Sequence, residues 1–291
     1  MPYYCTLSGA KRQLMESTVT DDAVFWAYVP VAGQRIEDYC GQNFDERWLT
    51  RGFSAQVGLG NPILSLNDHP LLALTQVTNG NGDIIPASAY QPLPAFEYPR
   101  KLLRLEPGTY WQGRSGASTC PPVLGTWDVY ALDAISIQGT WGYVRHYQNC
   151  WRQISPTVAG AHAASDTVIA LGTSAAGVLD AGNIIRIGSE QMVVVGPLAG
   201  LTTSITVKRA YNNTQAAALS GGETIEVFQF DPIVELAAQM LTCAFYVGRN
   251  NATGDRVLMP DGIGVQMPVD MPLKVKALLG YPYRSMVRGG F

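Results

Sequence analysis

Helical spacing of apolar residues dominates the first forty positions. Two helical stretches are predicted, Leu7 to Ser17 and Asp21 to about Cys40; Asp21 or Thr20 can cap the second and Gly41 can end it. Phe25, Tyr28, Val29, Ala32, Ile36 and Tyr39 recur at three- and four-residue spacing and form one apolar stripe that faces a partner. Pro30 lies inside this stretch, where its missing N–H costs about 3 kcal/mol, so a kink or break is expected there.

From Arg47 to Gln138 the period shortens to alternating segments separated by turn residues. Leu71 to Thr78, the turn Asn79-Gly80-Asn81-Gly82-Asp83 and a strand near Ile84 and Ile85 predict a meander, continued by strands at Lys101 to Leu105 and Ile135 to Gln138. Gly108 to Leu124, with three Gly and two adjacent Pro, reads as a long exposed contact loop.

Pro156 to Phe228 reads as a separate module. Strands are expected at Thr167 to Leu171, Asn183 to Ile187, Gln191 to Val195, Ser204 to Arg209 and Thr224 to Phe228, with Gly188-Ser189 as a two-residue hairpin turn. Ala/Gly/Ser-rich stretches at Thr157 to Ser165 and Ala216 to Gly222 bracket them, as for an inserted domain. After Asp231 the helical period returns: Pro232 suits a first helical position, and Ile233, Leu236, Ala237, Met240, Leu241, Ala244 and Phe245 follow at helix spacing up to Gly248. A short helix is expected over Leu273 to Leu279, and the tail Tyr281 to Phe291 cannot form a core of its own.

The fold class is therefore α+β: a helical-bundle core with a strand meander over residues 1–155 and 229–291, ending in an arm at 281–291, and an inserted β-barrel-like domain over 156–228. With 291 residues, 47% of them hydrophobic, the chain is long enough for one large core or two modest ones. Only 15% are charged, against roughly 25% in ordinary soluble domains, which suits a protein with large protein contacts. A net charge of −3 argues against a dedicated nucleic-acid binder.

Cys5, Cys40, Cys120, Cys150 and Cys243 lack the spacing of a zinc site and read as reduced, buried thiols, so no metal and no cofactor is expected. Met1 to Gly9 has no secretory pattern and no stretch is long enough to span a membrane, which implies residence in a cytoplasm. His69, His146 and His162 occur in separate segments outside any catalytic motif. Asp21-Asp22, Asp45-Glu46 and Asp128/Asp133 are accounted for by a cap and solvated loops, and Gly58-Leu59-Gly60 lacks the third Gly of a nucleotide fingerprint. No enzyme is expected. The aromatics Tyr110, Trp111, Trp127, Tyr130, Trp141, Tyr143 and Trp151 offer the alternative of a β-rich carbohydrate- or receptor-binding virion protein, with core packing as the plainer account.

The order of two N-terminal helices ending at Tyr39 and Gly41, a meander with Val77 and Tyr90, the stretch Ile135-Ser136-Ile137-Gln138-Gly139-Thr140-Trp141-Gly142-Tyr143 and a helix opened by Pro232 resembles the head-to-tail connector (adaptor) proteins of tailed bacteriophages. Gly139, Trp141, Gly142 and Tyr143 carry most of the likeness. Gly182 to Met192 and Arg209 to Ala218 resemble a small β module that recurs in phage virion proteins. Shorter members of the connector family lack the insert, and their second helix is not interrupted by a residue such as Pro30.

The resemblance implies a structural virion protein at the neck, the head-tail junction, present in the host cytoplasm during assembly. It implies a homo-oligomeric ring, a dodecamer, docked on the portal protein and continued by a tail or stopper protein, with genome DNA passing through without specific binding. The C-terminal residues Tyr281, Tyr283, Arg284, Arg288 and Phe291 are then the portal-binding arm, because aromatics and Arg dominate interface energetics. The insert is expected at the ring periphery.

Overall fold

A computed structural model describes residues 1–15, 20–56, 62–66, 69–109, 111, 130–198, 203–248, 256–258, 264–266, 271–280 and 283, with backbone alone at 55–56, 130–134, 256–258 and 264–266. The protein is α+β and divides into two compact units, one of Met1–Phe44 with Gln148–Met286 and the other centred on Asp45–Tyr147.

The first unit opens with α1 (Leu7–Gln13) and α2 (Asp22–Cys40). Thr6 caps α1, its hydroxyl accepting from the Gly9 N–H. The cap expected of Asp21 at α2 makes no side-chain bond to the helix, whereas Gly41 ends α2 in the left-handed region (φ 70°) with its N–H on Glu37 O. Contrary to the expected break, α2 runs through Pro30. The tertiary contacts of Phe25, Val29, Ala32 and Ile36, all buried, offset the one lost backbone bond.

Strands β8 (Trp151–Thr157), β9 (Val168–Ala170), β10 (Ile184–Ile187), β11 (Glu190–Gly196), β12 (Ser204–Lys208) and β13 (Thr224–Phe228) form one antiparallel sheet in the order β8-β13-β10-β11-β12-β9. Its two edges meet through the Val158–Leu171 bridge, with the Ala159 N–H on Ala170 O and the Gly172 N–H on Thr157 O, so the sheet closes on itself. The interior holds Ile169, Ile185, Met192, Val194, Ile205 and Ile225, among others. Gly188, at φ 60°, opens the β10–β11 turn. The sheet begins at Trp151, five positions before the expected boundary, and the small-residue stretches taken as brackets are part of it: Val158 closes the sheet and His162 bridges Leu219.

The chain continues as α3 (Pro232–Gly248), a backbone hairpin of β14 (Arg256–Leu258) and β15 (Gly264–Gln266), and α4 (Leu273–Leu278). The expected helical-bundle core is absent among the described residues. With α1 and α4 under two turns each, only α2 and α3 are long enough to bury a stripe on one another. The rest of the core comes from strands.

In the second unit, β1 (Arg47–Gln56), β7 (Tyr130–Trp141), β3 (Leu71–Thr78) and β4 (Ile84–Ile85) form an antiparallel sheet in that order. A three-stranded sheet of β2 (Ile63–Ser65), β6 (Leu102–Leu105) and β5 (Tyr90–Leu93) packs on it. Both sheets feed one apolar cluster, Phe53, Leu71, Val77, Ile135, Ile137 and Trp141 from the first and Leu64, Leu103 and Leu105 from the second. Of the long loop expected at Gly108 to Leu124, only Gly108, Thr109 and Trp111 are described. Trp111 is buried in this cluster rather than exposed, because an indole of that size is stabilised by leaving water.

Candidate functional site

The stretch that carried the resemblance is the keystone of the second unit. A side chain at Gly139 would place its Cβ 2.3 Å from Ala73 O, so only glycine lets β7 and β3 approach this closely. Trp141 is fully buried, stacks on Phe53 at 5.6 Å and donates from Nε1 to Leu49 O at 3.0 Å, while the Arg51 guanidinium lies 5.5 Å from its ring. The Gly142 N–H donates to Pro70 O, and the partly exposed Tyr143 accepts from Arg145, whose guanidinium sits over its ring at 5.6 Å. Gly139, Trp141 and Gly142 thus hold strands together; Tyr143 alone of the four reaches the surface.

Of the C-terminal arm residues, Tyr283 is described, and Tyr281, Arg284, Arg288 and Phe291 lie outside the described residues. Tyr283 is buried. Its hydroxyl donates to Asp231 Oδ2 at 2.9 Å, its carbonyl accepts from Gln42, and its ring lies near Phe44. Asp231 also accepts the Ile233 N–H at the start of α3, so one carboxylate caps that helix and holds Tyr283. In this conformation Tyr283 is an internal contact of the first unit and presents no surface to a partner.

The aromatic group between Tyr110 and Trp151 is not a stacking platform among the described residues. Trp111 and Trp141 are buried, and the half-buried Trp151 carries the Arg186 guanidinium at 4.4 Å and meets Phe228 edge-on. Tyr110, Trp127 and the Tyr130 side chain lie outside the described residues. His162 Nε2 accepts the Ala170 N–H, His69 stands edge-on to Phe53, and His146 is exposed in another segment. No group of three His, Cys, Asp or Glu suited to a metal occurs among the described residues. Cys5, Cys40, Cys150 and Cys243 are free and buried; burial pushes the Cys5 thiol up to about 12 and Cys243 to about 11, so neither is a nucleophile. Cys120 lies outside the described residues, as do Asp128 and Gly58 to Gly60.

Asp22, Asp45 and Glu46, expected at a cap and in solvated loops, are buried instead, Asp22 paired with Lys11 and Asp45 with Arg47, and two further features escaped the sequence reading. Glu190 is a fully buried carboxylate, bound by Arg209 Nε and Nη2 at 2.8 and 2.6 Å and by the N–H groups of Ala210 and Ala217. Arg209 spends its remaining donors on the carbonyls of Ala163, Asp166 and Ala217. This network pins the connections of the six-stranded sheet; nothing in local spacing announces it, since the partners are 19 residues apart.

The second feature is apolar exposure on the helices. Val24 and Val31 of α2, Ile233, Leu236 and Val247 of α3, and Leu273 of α4 all face outward, and α3 carries a single charge, Glu235, in seventeen residues. That scarcity of charge was the signal available in the sequence, because a helix with one wet face normally shows a charged stripe. No helix of the described residues is long and apolar enough to cross a membrane. No family model, curated protein or solved structure matches the chain.

Proposed function

We propose that this protein is a head-to-tail connector of a tailed bacteriophage, one subunit of a homo-oligomeric ring docked on the portal protein and continued by a tail or stopper protein. It is structural, uses no cofactor and resides at the neck of the virion. The observation that carries the reading is the outward apolar surface of α2, α3 and α4 on a chain with few charges, which suits a subunit whose helices are covered by neighbours in its working state. The order of elements that resembles the connector family adds to it, and twelvefold symmetry is taken from that resemblance. The carbohydrate-binding alternative loses support with the burial of Trp111 and Trp141.

Genome DNA passes through the ring without being gripped. A ring of twelve subunits at −3 each carries about −36 in formal charge, which repels phosphate. Co-sedimentation of the purified protein with the portal ring encoded alongside it, followed by electron microscopy, tests the reading. A stoichiometric ring capping one end of the portal is the expected result. Protein left in the supernatant, both with portal and with filled capsids, overturns it.

A further inference from the structure

We infer that neighbouring copies in the ring join by continuing one sheet across the subunit boundary: β4 of one copy pairs antiparallel with the open edge of β1 on the next, Ile84 opposite Thr50 and Asp83 opposite Arg51. The inference rests on the ring reading and names the lateral contact within it.

Strands β1 and β4 are the two edges of the four-stranded sheet, and no other strand pairs with either edge among the described residues. The Gly142 N–H points at Pro70 O on the β3 side, so alternation along β7 turns the N–H and C=O groups of Gly139 and Ile137 toward β1. Their partners Leu49 and Arg51 face β7 in return, which leaves the backbone groups of Trp48, Thr50 and Gly52 directed at the outer edge. Thr50 and Gly52 are exposed, and Trp48 is 37% exposed. At the other edge the Asn79 N–H donates to Asp83 O, so Ile84, opposite Thr78, turns its own N–H and C=O away from β3. Ile84 is 63% exposed, with Asp83 before it and Pro86 after Ile85 exposed as well. Outward backbone groups of this kind are a template for a strand from another chain.

Charge selects the occupant and the register. Arg51 lies on the inner face of β1 with its guanidinium 5.5 Å from the Trp141 ring, its enclosed Nε has no acceptor, and it makes no hydrogen bond or ion pair among the described residues. The charge nearest to it in effect is another cation, Arg47, which is itself paired with Asp45. A half-buried guanidinium is costly to leave without a carboxylate. The exposed Asp83 carboxylate, held by the Asn81 amide of its own turn, is of the matching sign. Ile84 can meet an outward residue of β1 at Trp48, Thr50 or Gly52. Opposite Trp48 it would set Asp83 on Leu49, and opposite Gly52 it would set Asp83 on Phe53, each a carboxylate against an apolar side chain. Opposite Thr50, Asp83 meets Arg51 and Ile85 meets Leu49 on the inner face, while Pro86 meets Trp48 on the outer face. Strands β1, β7, β3 and β4 alternate in direction, so this pairing continues the alternation. A two-fold pairing of β1 on β1 would gather Arg47 and Arg51 of both copies without an added acid and leave β4 unused. The β4–β1 contact uses each edge once per subunit and repeats until it closes, as a ring demands.

Two experiments on the full chain decide it. In the first, Arg51→Glu, Asp83→Arg and the double variant are compared with wild type by sedimentation in the presence of the portal ring. Each single variant is expected to weaken lateral association about tenfold or more by setting like charges opposite one another, and the double variant, which restores a pair of opposite sign, is expected to recover most of it. In the second, Thr50→Cys and Ile84→Cys proteins, both carrying Cys120→Ser, are assembled together and oxidised; facing residues of a hydrogen-bonded pair lie about 5.5 Å apart at Cα, within disulfide range. Dimers that contain one copy of each variant are expected, and a ladder of covalent oligomers from the chain carrying both. The cross-link leaves Arg51 and Asp83 intact, so it decides the matter where Arg51→Glu melts below wild type. Portal-docked rings that give no mixed dimers, cross-links between two Thr50→Cys copies, or well-folded single variants that assemble like wild type overturn this contact while leaving the connector reading in place. Wild-type protein that stays monomeric with and without portal overturns both.

Discussion

The carboxyl group of Glu190 and the guanidinium of Arg209 show how much of the β module depends on one pair. Burial alone would raise the Glu190 pKa; the Arg209 hydrogen bonds, then the N–H groups of Ala217 and Ala210 and the Arg209 charge, outweigh it and hold the group below its ordinary value. Glu190→Gln keeps the shape but leaves a nearly buried guanidinium without its counter-charge, and is expected to cost about 3–5 kcal/mol in denaturant unfolding. The pH dependence has a definite sign. A carboxylate whose folded pKa is depressed contributes stability that is full above its unfolded value, about 4.3, and is lost as pH falls through the folded value. The difference between wild type and Glu190→Gln is therefore expected to hold at neutral pH and shrink below about pH 4, which unfolding midpoints across that range would measure.

Among the elements, α2 and β7 make opposite demands on their special residues. Pro30 sits in a continuous helix whose buried stripe holds it there, so Pro30→Ala is expected to stabilise the chain by on the order of 1–3 kcal/mol, restoring a backbone bond. A lower melting temperature in the variant would mean that the proline fills space that α2 needs. Gly139→Ala is expected to destabilise by about 1–3 kcal/mol, since the new methyl meets backbone rather than a movable side chain; thermal unfolding measures it. The periodicities made β3, β13 and α3 legible almost to the residue, because each is bounded by turn or capping chemistry that acts locally. Strand β8 was not legible: Trp151 to Thr157 includes Ser155-Pro156 and joins the sheet through pairing with β13, some seventy positions away. Trp141 was legible as a key residue from its setting between glycines, but its use as a packing and hydrogen-bonding pin was not, since Leu49 and Phe53 approach it only in the fold. The outward face of α3 could have been read from its missing charges, whereas the burial of Tyr283 depends on Asp231, 52 positions back.

At the scale of the first compact unit, the β module is bound to the helices through the N-terminal segment. The Leu7 N–H donates to Ala181 O at 2.9 Å, the Ser8 N–H to Asp180 Oδ2 at 2.8 Å, and Tyr211 donates to Met1 O at 3.2 Å with its ring near Tyr3. Gly182 and Gly33 each leave room for that segment's backbone: a Cβ at the first would meet Cys5 O at 2.5 Å and at the second Pro2 O at 2.5 Å. The same few residues thus touch the module on one side and α2 on the other. A module merely tethered at its ends could be excised without loss; this one contributes a wall of the site in which Tyr3, Tyr4 and Cys5 are buried. Replacing residues 151–229, the whole closed sheet, by a short Gly/Ser linker is therefore expected to lower the stability of the remaining helices by several kcal/mol, because buried aromatic and apolar surface would become exposed. Removing 284–291 instead spares Tyr283 and its bond to Asp231, and that truncation is expected to lose portal docking if the arm grips the portal. The two deletions separate the roles: a module-deleted chain that melts like wild type and still docks would mean that the sheet is a peripheral decoration, and the N-terminal contacts would then carry no stability of their own.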